Sequence, residues 1–235
     1  MALNASKVKN NNFDRPEPLE PGTYPVRLVQ VISLGVQKQR PYQGQEKPPA
    51  NMIRVTYEFL DEFMKDKETG EELEDKPRWI SEDFPLHSLD SDKAKSTKRY
   101  LAIDPLQEQK GDWANLVGYP AMLTVSNSPS KKDPNIIYEN VAQVSSMRAK
   151  EAKSAPELVN PPKVFDVDEP DMTIFWSLPT WLQEKIQENL EYEGSALEKL
   201  VEKGVGKSEE DTPKKDNTPS TDEDSGSDES DDEDW

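Results

Sequence analysis

The 235 residues include one histidine, His87, and no cysteine. No histidine-based triad, histidine metal cluster, thiolate site or disulfide can be built from that set. Carboxylates are abundant, but acid–base chemistry needs two in one pocket with separated pKa values, and no such pair stands out. The acidic runs lack the spaced oxygens and central glycine of a calcium loop. Gly204-Val205-Gly206-Lys207-Ser208 looks like the end of a phosphate-binding loop, but the motif's first glycine would fall on Val201 and no strand precedes it. The expectation is therefore a non-enzyme with no metal and no cofactor.

Another kind of chemistry is better represented. Binding a single nucleic-acid strand without sequence preference needs cations along the phosphates and aromatic faces for the bases, each stacked base contributing about 1–3 kcal/mol. The chain interleaves both: Lys38, Arg40, Tyr42 and Lys47 in one polar stretch, then Arg54 and Tyr57, then Arg78 and Trp79, then Lys131, Lys132 and Tyr138. Some have competing readings. Tyr57 and Phe59 alternate with polar residues, which suits an interior face. Arg78 and Ile80 do not decide which face Trp79 takes. A Lys-Lys pair in a turn is ordinarily just solvated, and Lys95, Lys98 and Arg99 make a basic helix face of the kind that keeps a surface soluble.

The elements that must position these residues follow from local pattern. Residues 1–22, with an asparagine run and three prolines, read as an extended arm. Residues 24–35 are rich in β-branched side chains and end at Gly35, which predicts a long strand. After a polar loop, residues 52–63 alternate Ile53, Val55, Tyr57 and Phe59 against Arg54, Thr56 and Glu58, a second strand. A charged loop at 65–76 leads to a third, at 78–86. Residues 91–103 read as a helix capped by Ser91 or Asp92. Strands four and five are predicted at 119–126 and 136–147, joined by a turn over 131–135. Three strands, a helix and two strands is the order of the oligonucleotide/oligosaccharide-binding (OB) fold, a five-stranded barrel with its helix between strands three and four. Residues 23–150 would form that mainly β domain, whose binding face in such folds spans strands two and three with the flanking loops.

Residues 151–203 make an extension, irregular and proline-rich to about 176, then helical over 177–192. Ser177 or Thr180 would cap that helix, and Trp181, Leu182, Ile186 and Leu190, with Leu197 beyond, form one apolar stripe. It would pack on the barrel, or else meet a second copy or a replication partner. From residue 204 the composition collapses to Ser, Asp, Glu, Pro, Thr and Gly, too polar to offset its ordering entropy, so 204–235 is expected to be a disordered tail.

Charge follows the same division. The net charge is −18, but residues 208–235 hold 13 acidic and 2 basic side chains, whereas residues 23–153 hold 20 and 19. A nearly neutral core can carry a basic groove if its acids lie elsewhere. No apolar run has the length of a membrane span or signal peptide, so a cytoplasmic protein with no membrane partner is expected.

The tail ends Asp231-Asp232-Glu233-Asp234-Trp235. A disordered segment gains nothing internally from a terminal tryptophan, whereas a partner can seat it in an apolar pocket ringed by cations. Together with Pro21-Gly22-Thr23-Tyr24, Leu34-Gly35, Lys95-Ser96 and Tyr100-Leu101, Leu116-Val117-Gly118, Phe165-Asp166-Val167-Asp168-Glu169 and the run from Leu178 through Trp181 to Ile186, this tail resembles phage-encoded single-stranded-DNA-binding proteins of DNA replication. The likeness covers about residues 20–192 and the tail, and departs from tidier members in the long 65–76 loop. It implies an OB fold, protection of single-stranded DNA during replication and recombination, and host-cell cytoplasm as the location. It also implies a tail that competes with DNA and recruits polymerase or helicase-primase; a homodimer is an option only through the helix that carries Trp181. The rival expectation is an acidic-tailed interaction protein, a chaperone or DNA mimic, that does not bind DNA.

Overall fold

The computed structural model describes residues 16–41, 43–66 and 68–207. The elements run β1 (Gly22–Gln37), β2 (Ala50–Lys65), β3 (Glu72–Pro85), α1 (Lys95–Ile103), a 3-10 turn at Ala114–Leu116, β4 (Pro120–Pro129) and β5 (Ile137–Ser146). They continue with α2 (Ala149–Ser154), β6 (Lys163–Phe165), α3 (Met172–Trp176), α4 (Thr180–Gln187) and α5 (Ala196–Glu202). The fold is mainly β: an open antiparallel sheet in the order β3-β2-β1-β4-β5, with β6 added parallel to β1. Among the described residues no helix is long and apolar enough to cross a membrane.

β1 organises the molecule. One edge pairs with β2 over most of its length, while the other is shared, residues 22–27 pairing with β4 and residues 30–32 with β6. Its ladder with β2 slips at Leu28/Gln30 and again at Ser33/Gly35. Each slip changes the phase of a period-two strand, so successive parts of one apolar run serve opposite faces. Val26, Leu28 and Val31 join Tyr57, Phe59, Phe84, Tyr100 and Leu123 in a first core, which α1 and Trp113 seal at one end. Ile32 and Leu34 instead join Phe165, Phe175, Leu182, Ile186 and Leu197 in a second. Each such side chain removed from water contributes about 1.5–3 kcal/mol. Gly35 lies at φ +70°, and a Cβ there would meet the Asn189 amide at 2.4 Å. That close approach lets Asn189 Oδ1 accept the Val36 N–H at 2.8 Å and pin the extension to the end of β1.

Several expectations need correcting. The helix expected from residue 91 starts at Lys95, with Ala94 at its N-cap and no side-chain cap, because Ser91 to Ala94 form a turn closed by Ala94 N–H to Ser91 C=O at 2.9 Å. The stretch up to about 176, expected to be irregular, contains most of α2 and all of β6 and α3, the last capped by Asp171 Oδ1 accepting the Thr173 and Ile174 amides. The helix over 177–192 is shorter and starts from Pro179 without a side-chain cap, so neither Ser177 nor Thr180 performs that role. Its stripe does pack on the sheet through Leu182 and Ile186, but Leu190 is exposed and Leu197 belongs to α5. At both ends the chain is held further than composition suggested. Leu19, in the expected arm, is buried in the first core, and Val205, in the expected tail, accepts the Trp176 indole N–H at 2.8 Å.

β3 and β5 are the two edges of the sheet, and side chains rather than a ladder link them. Arg78 Nη2 meets Glu139 Oε1 at 2.7 Å, and Arg78 Nη1 donates to the Glu17 carbonyl at 2.8 Å. The Leu19 N–H donates to the same Glu139 carboxylate, and Asn127 donates to the Leu19 carbonyl at 2.7 Å. Residues 17–19 therefore lie along the seam between the edges.

Candidate nucleic-acid interface

The outer face of β2 and β3 presents three cross-strand pairs: Arg54 with Asp83, Thr56 with Ser81, and Glu58 with Trp79. The extension occupies much of this strip. Asp83 takes Arg54 Nη1 at 2.8 Å and Lys185 Nζ at 2.8 Å, and the Arg54 guanidinium lies 4.7 Å from the centre of the Trp181 ring. The Thr56 and Ser81 hydroxyls bond to each other at 2.9 Å. Glu58 binds the segment crossing at Val159 and Asn160. Next to Glu58 in the β1–β2 ladder, Arg27 donates to the Ala155, Pro156 and Gly118 carbonyls.

Three residues expected to meet the nucleic-acid strand are held by other partners. Tyr57 is fully buried and its hydroxyl donates to Glu82 Oε1 at 3.2 Å, so the interior reading of the strand alternation wins. Arg54 is committed to Asp83 and Trp181, and Arg78 to the β3–β5 seam, with side chains only 11% and 12% exposed. Their positions as cations among strand residues suggested phosphate contact. The acceptors that hold them, Asp83 in the next strand and Glu139 some sixty residues on, could not be read from spacing. Trp79 does face outward and is 40% exposed, its indole N–H held by Glu58 Oε2 at 3.3 Å. Tyr138 is half-buried on β5 opposite Ser128.

The loop cations remain at the surface. Lys38, Arg40 and Lys47 are exposed in the β1–β2 connection, which Gln39 Nε2 clamps to the Pro48 carbonyl at 2.6 Å. Lys131 and Lys132 are exposed in the β4–β5 turn, whose shape is set by Ser130 Oγ accepting the Lys132 and Asp133 amides and by Asp133 accepting that of Asn135. The registers place these two groups beyond opposite ends of the β1 ladder, one past Gln37 and the other past Gly22. Tyr42 and Asp231, Asp232, Glu233, Asp234 and Trp235 lie outside the described residues. Residues the sequence did not single out, Arg27 and Glu58, turn out to anchor the extension; their only signal was a charge of each sign in the polar slots of adjoining strands.

At the far end of β2 the surface is acidic. Partial burial raises the Asp61 carboxyl above its ordinary pKa, and burial followed by the charge of Asp61 does the same for Glu62. The folded protein thus binds these protons more tightly than the unfolded chain, so stability falls as pH rises through the raised values and stays lower above them. Asp61→Asn combined with Glu62→Gln is expected to raise the thermal midpoint near pH 7 and to match the parent near about pH 3, below both unfolded values. Melting curves across that range check it; a gain that persists unchanged in acid would contradict it. No protein-family model matches this chain, and no curated protein sequence matches it either.

Proposed function

We propose that the protein binds single-stranded DNA without sequence preference, through an OB-type β domain, and protects it during phage replication and recombination. The observation that carries the reading is the strand order β3-β2-β1-β4-β5 with α1 inserted between β3 and β4, which is the order of an OB barrel. The contacts of Arg78 and Glu139 between the edge strands suit a barrel closed by side chains. Because the extension lies over the outer face of β1 and β2, the strand is assigned to the β3 rim at Trp79 and to the exposed cations of the loops. A tail of net −11 is attracted to such a surface, competes with DNA there, and offers Trp235 to a polymerase or helicase-primase. The rival reading, an acidic-tailed interaction protein, draws on the internal commitment of Arg54 and Arg78.

Fluorescence anisotropy of labelled oligo(dT) and of a matching duplex separates the two, using the full chain and a version ending at Lys207. Strand binding predicts preference for oligo(dT), affinity that falls as salt rises, and tighter binding after truncation. Absence of binding by both forms at low salt would sink it and favour the interaction protein.

A further inference from the structure

Glu58 has no exposed surface, yet it lies on the outer face of β2. Its Oε1 accepts the Val159 N–H at 2.7 Å; its Oε2 accepts the Asn160 N–H at 3.2 Å, the Asn160 side-chain amide at 2.7 Å and the Trp79 indole at 3.3 Å. A carboxylate taken out of water is tolerated when its oxygens are this well supplied with donors. Three of the four donors come from the crossing segment and one from β3. Arg27, beside Glu58 in the ladder, holds the same segment by its other polarity, donating to Pro156 C=O at 2.7 Å and Ala155 C=O at 3.0 Å. Pro161 and Pro162 then stiffen the exit toward β6. Both apolar residues that donate to this carboxylate reach solvent: Trp79, through its indole, is 40% exposed, and Val159, through its backbone amide, is 50% exposed.

We propose that Glu58 is a positioning residue for strand binding: it fixes Trp79 as the stacking platform, and couples a base stacked there to the closed position of residues 155–160, with Val159 as the second wall of a one-base subsite. The proposal rests on the strand-binding reading. A base on Trp79 immobilises the indole, and an acceptor held by one rigid donor costs its other donors less freedom to bind. Such coupling is reciprocal: closing the segment must also favour the base. Duplex DNA, whose bases are stacked on each other, offers no free face to this subsite.

Hydrogen exchange at the Val159 and Asn160 amides of the full chain, with and without saturating oligo(dT), reads the coupling. Exchange is expected to slow about fivefold or more on binding, the lower end of ordinary coupling between sites. Trp79→Phe keeps an aromatic face but lacks the indole N–H; it should still bind oligo(dT) by stacking while losing the slowdown. Glu58→Gln should speed exchange in the free protein and weaken oligo(dT) about tenfold, the loss of one charge-assisted hydrogen bond, with an unchanged salt slope because no phosphate contact is removed. Oligo(dT) binding that leaves both amides unchanged, or a slowdown that survives in Trp79→Phe, would overturn the coupling. No oligo(dT) binding at all would remove the strand-binding reading itself and this subsite with it, and the titration alone tells the two failures apart.

Discussion

Glu82→Ala is expected to lower the unfolding free energy by about 3–5 kcal/mol, the usual effect of breaking a buried ion pair from one side. Glu82 points from β3 into the first core, where Oε1 accepts Arg99 Nε at 2.9 Å and the Tyr57 hydroxyl at 3.2 Å. Lys95 adds a contact at 3.1 Å from a side chain that is nearly half exposed, so its share is small. Arg99 also donates to the Val141 and Ala142 carbonyls, which makes this one carboxylate the joint between β3, α1 and β5. Burial first, and then the charge of Glu82, push the Tyr57 phenol well above its ordinary pKa, so it stays protonated and donates. Alanine leaves a buried guanidinium and a buried hydroxyl without their acceptor. Replacing Glu82 and Arg99 together by methionine should recover much of the loss, since no unpaired charge then remains inside. Urea unfolding followed by circular dichroism measures both, and a loss below about 1 kcal/mol for Glu82→Ala would show that the pair is not the joint described.

The second large effect concerns DNA. Changing Lys38, Arg40 and Lys47 together to alanine is expected to weaken oligo(dT) binding about a hundredfold at roughly 0.1 M salt. Each phosphate neutralised on a single strand releases about 0.7 of a counterion, so three lost contacts flatten the log–log salt slope by about 2 and remove about two decades of affinity at that salt. All three side chains are exposed and none of the three belongs to either core, so folding should be little changed. Anisotropy titrations at several salt concentrations provide both numbers. Wild-type affinity with an unchanged slope would place the strand elsewhere, and the Lys131→Ala, Lys132→Ala pair would then show whether it follows the β4–β5 turn at the other end of the ladder.

The strands were legible because their signal is local. The alternation of Ile53, Val55, Tyr57 and Phe59 reports a half-buried surface wherever the partner strands lie, and it also made Tyr57 a core candidate before any contact was known. The helix over 95–103 was legible for the same reason, although its first turn was placed four residues early. The exposed loop cations were legible as well, since a polar, proline-bounded stretch has no core to enter. Most of the extension was not. β6 is three residues long and exists only because β1 leaves an edge free beyond residue 27. α3 and α5 each carry too few turns to announce an apolar face, whereas the stripe of α4 was readable at Leu182 and Ile186.

Local order thus determined a mainly β domain of three strands, a helix and two strands, and composition determined an acid-rich end. Which strand charges face water was decided by the tertiary structure alone. Arg54, Arg78 and Glu58 look alike in the sequence to cations and acids at a surface, and become internal when residues distant in the chain cover them. The physical reason is that a strand's period of two sorts side chains between two faces but cannot say what covers either one. At Leu28 and Ser33 even that sorting changes phase, where the ladder with β2 slips.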